Sequence, residues 1–261
     1  MDDRITPKKS LGQHWLHDEL SLETMCDIVA VGPTDTVLEI GPGLGTLTQY
    51  LTEQAAQVVA VEFDDRLAAE LPSRVPAANL HVVHEDILQF DLTSLPADYK
   101  VVANIPYYLT SNLVRTLSES ANPAAAVALL IQKEVAERAA ARPGSMSLLS
   151  VSAQFYWEVS LGPLVPAELF TPPPKVDSQI LVLHRRAEPL FPGVDTKQFF
   201  RIVKAGFSQK RKTLVNSLSG GLAISKDETK QSLDKAGIPQ NTRAQALSLD
   251  EWYALYDILK P

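Results

Sequence analysis

Five short runs of apolar and β-branched residues mark the first half of the chain, at residues 37–40, 58–61, 80–83, 101–103 and 127–131. Segments with apolar residues at helical spacing lie between them, among them 44–51 and 66–71. Strands alternating with helices predict a parallel sheet covered by helices on both faces. Two later runs, 150–158 and 178–183, read as further strands closing one edge of that sheet. The stretch Glu188-Pro-Leu-Phe-Pro-Gly-Val194 reads as a linker, because Pro and Gly interrupt both helix and strand. Beyond it, helices are expected at 197–208, 210–218, 226–236, 242–247 and 249–259. The expected fold class is α/β, a Rossmann-like domain over residues 1–186 followed by a small all-helical domain over residues 195–261. No internal repeat interrupts this order.

Composition narrows the setting. At 261 residues and 45% apolar content, the chain can bury a full core without staples. Cys26 is its single cysteine and cannot form an internal disulfide, and the charged opening MDDRITPKK lacks the apolar run of a signal peptide. A reducing, cytoplasmic setting is expected. The most apolar segment, residues 124–131, is far shorter than the roughly 18 residues of a membrane span.

A net charge of −7 argues at first against a nucleic-acid partner. The distribution of that charge argues otherwise. Residues 1–184 carry 11 Lys+Arg against 23 Asp+Glu, whereas residues 185–261 carry 13 against 8. Between Thr196 and Lys226 there are seven basic residues and no acidic one. An anionic ligand responds to the field within a Debye length of about 8 to 10 Å, so Arg201, Lys204, Lys210, Arg211 and Lys212 are candidate RNA-phosphate contacts.

The candidate chemistry lies at the strand ends. Glu39-Ile-Gly-Pro-Gly-Leu-Gly45 follows the first strand with G-x-G-x-G spacing, and Thr46 stands one place after the last glycine. The G-x-G-x-x-G dinucleotide pattern is therefore broken, while Gly41 and Gly43 still allow backbone to approach a ligand closely. Glu62 ends the second strand, suited to accept from ribose hydroxyls. Asp86 follows the third, suited to an adenine amino group, with Ile87 packing on the ring. A nucleoside cofactor without a phosphate cradle suggests S-adenosylmethionine, with S-adenosylhomocysteine as product. After the fourth strand comes Asn104-Ile-Pro-Tyr-Tyr108, which offers carbonyls from Asn104 and Pro106 and the ring of Tyr107 to a planar amine. No Cys/His cluster stands at metal-ligand spacing, so no metal is expected.

These features resemble the ribosomal RNA adenine dimethyltransferase family, enzymes that dimethylate two adjacent adenosines near the 3′ end of small-subunit rRNA. The resemblance spans the chain and rests on five blocks. They are Lys8-Lys-Ser-Leu-Gly-Gln-His-Trp-Leu16, the glycine loop, Asn104 to Tyr107, Phe170-Thr-Pro-Pro-Pro-Lys-Val-Asp-Ser178 and Phe207-Ser-Gln-Lys-Arg-Lys-Thr-Leu-Val-Asn-Ser-Leu218. It implies cofactor binding by His14, Leu16, Gly41, Glu62, Asp86 and Asn104. It also implies a target base held between Tyr107 and Phe170. Many members have Asn and Phe where this chain has His14 and Trp15. The implied partner is small-subunit rRNA within the immature 30S particle, with a role in subunit biogenesis and a monomeric enzyme. Two alternatives stay open: a large-subunit rRNA adenine methyltransferase conferring antibiotic resistance, and an assembly factor whose catalysis is dispensable.

Overall fold

The computed structural model describes residues 12–260; residues 8–11 of the first block lie outside them. The chain divides into two compact units, the first running to Glu137 and including Trp157–Arg185, the second comprising Arg138–Tyr156 and the chain from Arg186 onward.

The first unit is built on a seven-stranded sheet. Its strands are β2 (Thr36–Ile40), β3 (Gln57–Glu62), β4 (Leu80–His84), β5 (Lys100–Asn104), β6 (Ala126–Gln132), β7 (Trp157–Val165) and β9 (Ser178–Arg185). A separate antiparallel pair joins β1 (Trp15–Leu16) to β8 (Phe170–Thr171). The large sheet runs in the order β4-β3-β2-β5-β6-β9-β7, with the first five strands parallel and β9 antiparallel to both β6 and β7. The five apolar runs of the first half are thus the five parallel strands, and the run at 178–183 is β9.

Central strands are apolar because both their faces are covered: Val37, Leu38, Val101, Val102 and all of residues 127–131 are buried. Helices α1 (Glu19–Asp27), α2 (Thr46–Gln54), α3 (Asp65–Arg74) and α4 (Thr110–Glu119) follow or precede these strands, and α5 (Lys133–Ala139) follows β6. Gly45, with φ +85°, stands at the N-cap of α2. A Cβ there would come within 2.8 Å of Leu71 Cδ1 and 2.9 Å of Val75 Cγ2, so the last glycine of the loop is required by packing of α3. Trp157 is buried at the start of β7 and donates from Nε1 to Ser118 Oγ at 2.8 Å, which fixes that strand against α4.

The second unit is helical: α6 (Leu148–Tyr156), α7 (Thr196–Phe207), α8 (Leu214–Leu222), α9 (Lys226–Lys235) and α10 (Leu249–Leu259). Phe155, Phe191, Phe199, Trp252 and Tyr256 form its aromatic core. Three expectations are corrected here. Residues 150–156 are helical, and strand begins only at Trp157. Val151, Ala153, Phe155 and Trp157 are all buried, giving the chain a two-residue period that imitates a strand, whereas α6 is in fact a helix buried on more than one side. Residues 210–213 form a turn, and α8 starts at Leu214. Residues 242–247 contain only a 3₁₀ turn, Ala244–Ala246.

Candidate active site

Strand order reverses at β2, which has β3 on one side and β5 on the other, and ligands of open α/β sheets bind beyond the carboxyl ends of strands at such a point. A cleft opens there, lined by residues from several loops, the usual setting of a small-molecule site. Three strand ends and the segment leading into β1 contribute its walls: Glu39, Gly41 and Gly43; Glu62; Asn104, Pro106 and Tyr107; and His14 with Leu16.

One end of the cavity is acidic. Glu62 is buried, and its Oε2 accepts from the Gly43 N–H at 3.1 Å while Oε1 accepts from the Asp64 N–H at 2.8 Å. A carboxylate has lone pairs beyond these two, so it can still accept from a pair of hydroxyls. Burial raises its pKa, opposed by the Asp64 and Gly43 donors. Gly41 has φ +66°, and a Cβ built on it would meet nothing within 4 Å; the space a side chain would fill is part of the cavity. Glu39 is 1% exposed and its Oε2 has no hydrogen-bond partner. Burial pushes its pKa up to about 8, with the Glu62 charge adding to the rise; the Thr48 hydroxyl beside it lowers the value somewhat without completing a hydrogen bond. An unpartnered buried carboxyl on a cavity wall matches a ligand carrying a hydrogen-bond donor or a positive charge.

The other end can hold an amine. Asn104 closes β5, and its Nδ2 donates to the His14 carbonyl at 3.1 Å. That bond commits the amino side of the amide and leaves Oδ1 as the acceptor on the cavity. Pro106 is followed by the 3₁₀ turn Tyr107–Leu109, whose closing bond runs from the Leu109 N–H to the Pro106 carbonyl at 3.0 Å. A carbonyl oxygen has two lone pairs, so one remains for a ligand. Tyr107 is anchored at its hydroxyl, 2.9 Å from Ser178 Oγ. The His14 ring stacks on it with centroids 5.9 Å apart, and His14 Nδ1 donates to the Pro172 carbonyl at 2.7 Å.

Three of the expected residues are not among those that line the cavity. Asp86 and Ile87 lie beyond β4, one strand further along the same sheet edge and outside the cavity wall. Asp86 Oδ1 accepts from the Leu88 N–H at 3.0 Å, and Ile87 is buried. Phe170 was expected to face a base, but it is 3% exposed and belongs to the apolar core. Its pairing opposite Leu16 in the β1–β8 ladder turns both side chains inward. Leu16 lines the cavity from beneath, and its carbonyl accepts from Thr46 Oγ1 at 3.0 Å.

The residues not anticipated are Glu39, Ser178 and Pro172. Glu39 had a signal, a lone carboxylate inside an apolar strand; Ser178 and Pro172 stand in the Phe170 to Ser178 block, but their contacts with Tyr107 and His14 had none, since these partners lie far away in sequence. In the second unit, Arg201 and Lys204 are exposed on α7, and Lys210, Arg211 and Lys212 are exposed in the turn after it. None of the five has a carboxylate partner among the described residues.

Residues 5–261 match the family described as ribosomal RNA adenine dimethylase. A ribosomal RNA small subunit methyltransferase A from Dehalococcoides mccartyi is 40% identical over 255 residues, covering 96% of this chain and 88% of the relative. Its namesake from Streptococcus pneumoniae is 40% identical over 269 positions, covering 98% and 93%. Among solved structures, a dimethyladenosine transferase from Plasmodium falciparum superposes with a TM-score of 0.80 at 25% identity, covering 93% of this chain and 96% of that one. The 23S rRNA methyltransferase ErmE gives 0.75 at 29% identity, covering 95% and 100%.

Proposed function

The chain belongs to the ribosomal RNA adenine dimethylase family, and from that premise we propose that it transfers methyl groups from S-adenosylmethionine to the N6 amines of two adjacent adenosines in the 3′-terminal hairpin of small-subunit rRNA. The observation that carries this reading is the orientation of Asn104: with Nδ2 tied to His14, Oδ1 is the group left to accept from an amine. Similarity at 40% identity to small-subunit enzymes, against 29% to ErmE, favours the small subunit.

The cavity fits the cofactor. Glu62 would accept from the ribose hydroxyls, the open space beside Gly41 admits the ligand backbone, and the unpartnered Glu39 suits a cationic group. When bound, S-adenosylmethionine supplies an electrophilic methyl on sulfur. Asn104 Oδ1 and the Pro106 carbonyl would each accept one amine hydrogen, which turns the nitrogen lone pair away from the ring and aims it for attack. Alignment of this kind lowers the barrier by holding the reacting atoms in place. The two carbonyl dipoles also stabilise positive charge developing on nitrogen, and the proton then leaves to water. Tyr107, held by Ser178 and His14, would support the base from one side. Phe170 would serve as the opposite face only after leaving the core. The five basic residues of α7 and its following turn would contact RNA phosphates.

The test is methyl transfer to immature small subunits with labelled S-adenosylmethionine, followed by mapping of modified nucleotides. Dimethyladenosine at two adjacent positions near the 3′ end is expected; label in large-subunit rRNA alone would overturn the assignment.

A further inference from the structure

Tyr108 is 65% exposed, on the lip of the cavity that Asn104 and Tyr107 line. No core packing accounts for so large an apolar ring in water. Its position is nevertheless fixed. The 3₁₀ turn holds its backbone through the Leu109 N–H on Pro106 and the Thr110 hydroxyl on the Tyr107 carbonyl at 3.1 Å. The ring lies beside Gly12, where an added Cβ would stand 3.9 Å from two of its carbons. Tyr107 and Tyr108 thus point in different directions from neighbouring positions, one anchored inside the cavity by Ser178 and the other outward at its mouth.

A base that enters the cavity must leave its stack, and the nucleotide next to it loses a stacking partner at the same moment. A fixed aromatic face at the mouth can replace that partner. We propose that Tyr108 is the stacking platform for a nucleotide flanking the methylated adenosine, a substrate-positioning residue for the reaction. This inference rests on the RNA-methyltransferase reading above. Stacking of a base on an aromatic side chain contributes about 1 to 3 kcal/mol, equivalent to roughly 5-fold to 150-fold in affinity. The phenolic hydroxyl has no hydrogen-bond partner among the described residues, so the face of the ring carries the effect.

The experiment compares Tyr108→Ala, Tyr108→Leu and Tyr108→Phe with the wild type, using immature small subunits as substrate. Ala and Leu should raise the KM for subunits about 10-fold, leave kcat at saturating subunits and the S-adenosylmethionine Kd within about twofold, and Phe should restore the wild-type KM. Leu keeps bulk without a π face, so recovery by Leu as well as Phe would show mere space filling and overturn the proposal. An unchanged KM in Tyr108→Ala would overturn it equally. Methyl transfer by the wild type, with Asn104→Ala run alongside, separates the two levels. If wild type transfers methyl to the subunits, a null result at Tyr108 counts against the platform alone, whatever Asn104→Ala does; if wild type transfers none, the functional reading fails and the platform with it.

Discussion

Glu39 shows how much one buried atom can decide. It sits in a strand otherwise filled by Val37, Leu38 and Ile40, with an unpartnered Oε2 and a pKa of about 8 against 4.5 for a free carboxyl. Because the folded-state value is the higher one, the protonated form stabilises the fold fully below about 4.5, and that contribution is lost as pH rises toward 8. Glu39→Gln, neutral throughout, removes this loss. In ligand-free protein the variant should match wild type near pH 4.5 and exceed it by on the order of 2 kcal/mol or more above pH 8, read from denaturant unfolding across that range. Parallel profiles would mean that Glu39 ionises freely in the fold.

At the scale of elements, the glycine loop divides its labour. Gly41 borders the cavity, whereas Gly45 lets α2 begin where Leu71 and Val75 of the α3 region press close. Gly45→Ala combines a left-handed backbone with two contacts below 3.0 Å, so a loss of about 2 to 4 kcal/mol is expected. Gly193→Ala has a similar φ of +75° but open space around it, and should cost only about 1 to 2 kcal/mol. Equal losses in thermal unfolding would assign the whole effect at Gly45 to backbone conformation. The same division explains what was readable beforehand. The five parallel strands are bounded apolar runs, and Gly41, Gly43, Glu62, Asn104, Pro106 and Tyr107 at or just beyond their ends line one cavity, whereas Asp86 and Ile87 do not. α6 reads as a strand because burial around a helix erases the 3.6-residue stripe. The inward turn of Phe170 was unreadable because it depends on a two-residue ladder with Leu16, too short to leave a pattern.

Over the whole molecule, charge is segregated along the chain: acidic through residue 184 and basic beyond it. Replacing Lys210, Arg211 and Lys212 together by Gln should weaken subunit binding and reduce the log–log salt slope by roughly 2 to 3, with S-adenosylmethionine affinity unchanged. Arg115, Lys133 and Lys230 form the control set, since each already lies beside a carboxylate at the surface. Equal weakening by both triple variants would show that only net charge matters. Long-range pairs complete the site in a way local sequence does not display: Tyr107 with Ser178, Asn104 with His14, and His14 with Pro172. The motifs were legible one by one, and their mutual support was not.

The central claim is that Asn104 aligns the amine, and single-turnover methyl transfer by Asn104→Ala measured beside S-adenosylmethionine affinity tests it most directly. The account predicts a rate lower by roughly 100-fold or more, from lost alignment and charge stabilisation, with cofactor affinity held within a few-fold. Wild-type transfer in a folded Asn104→Ala protein would contradict it.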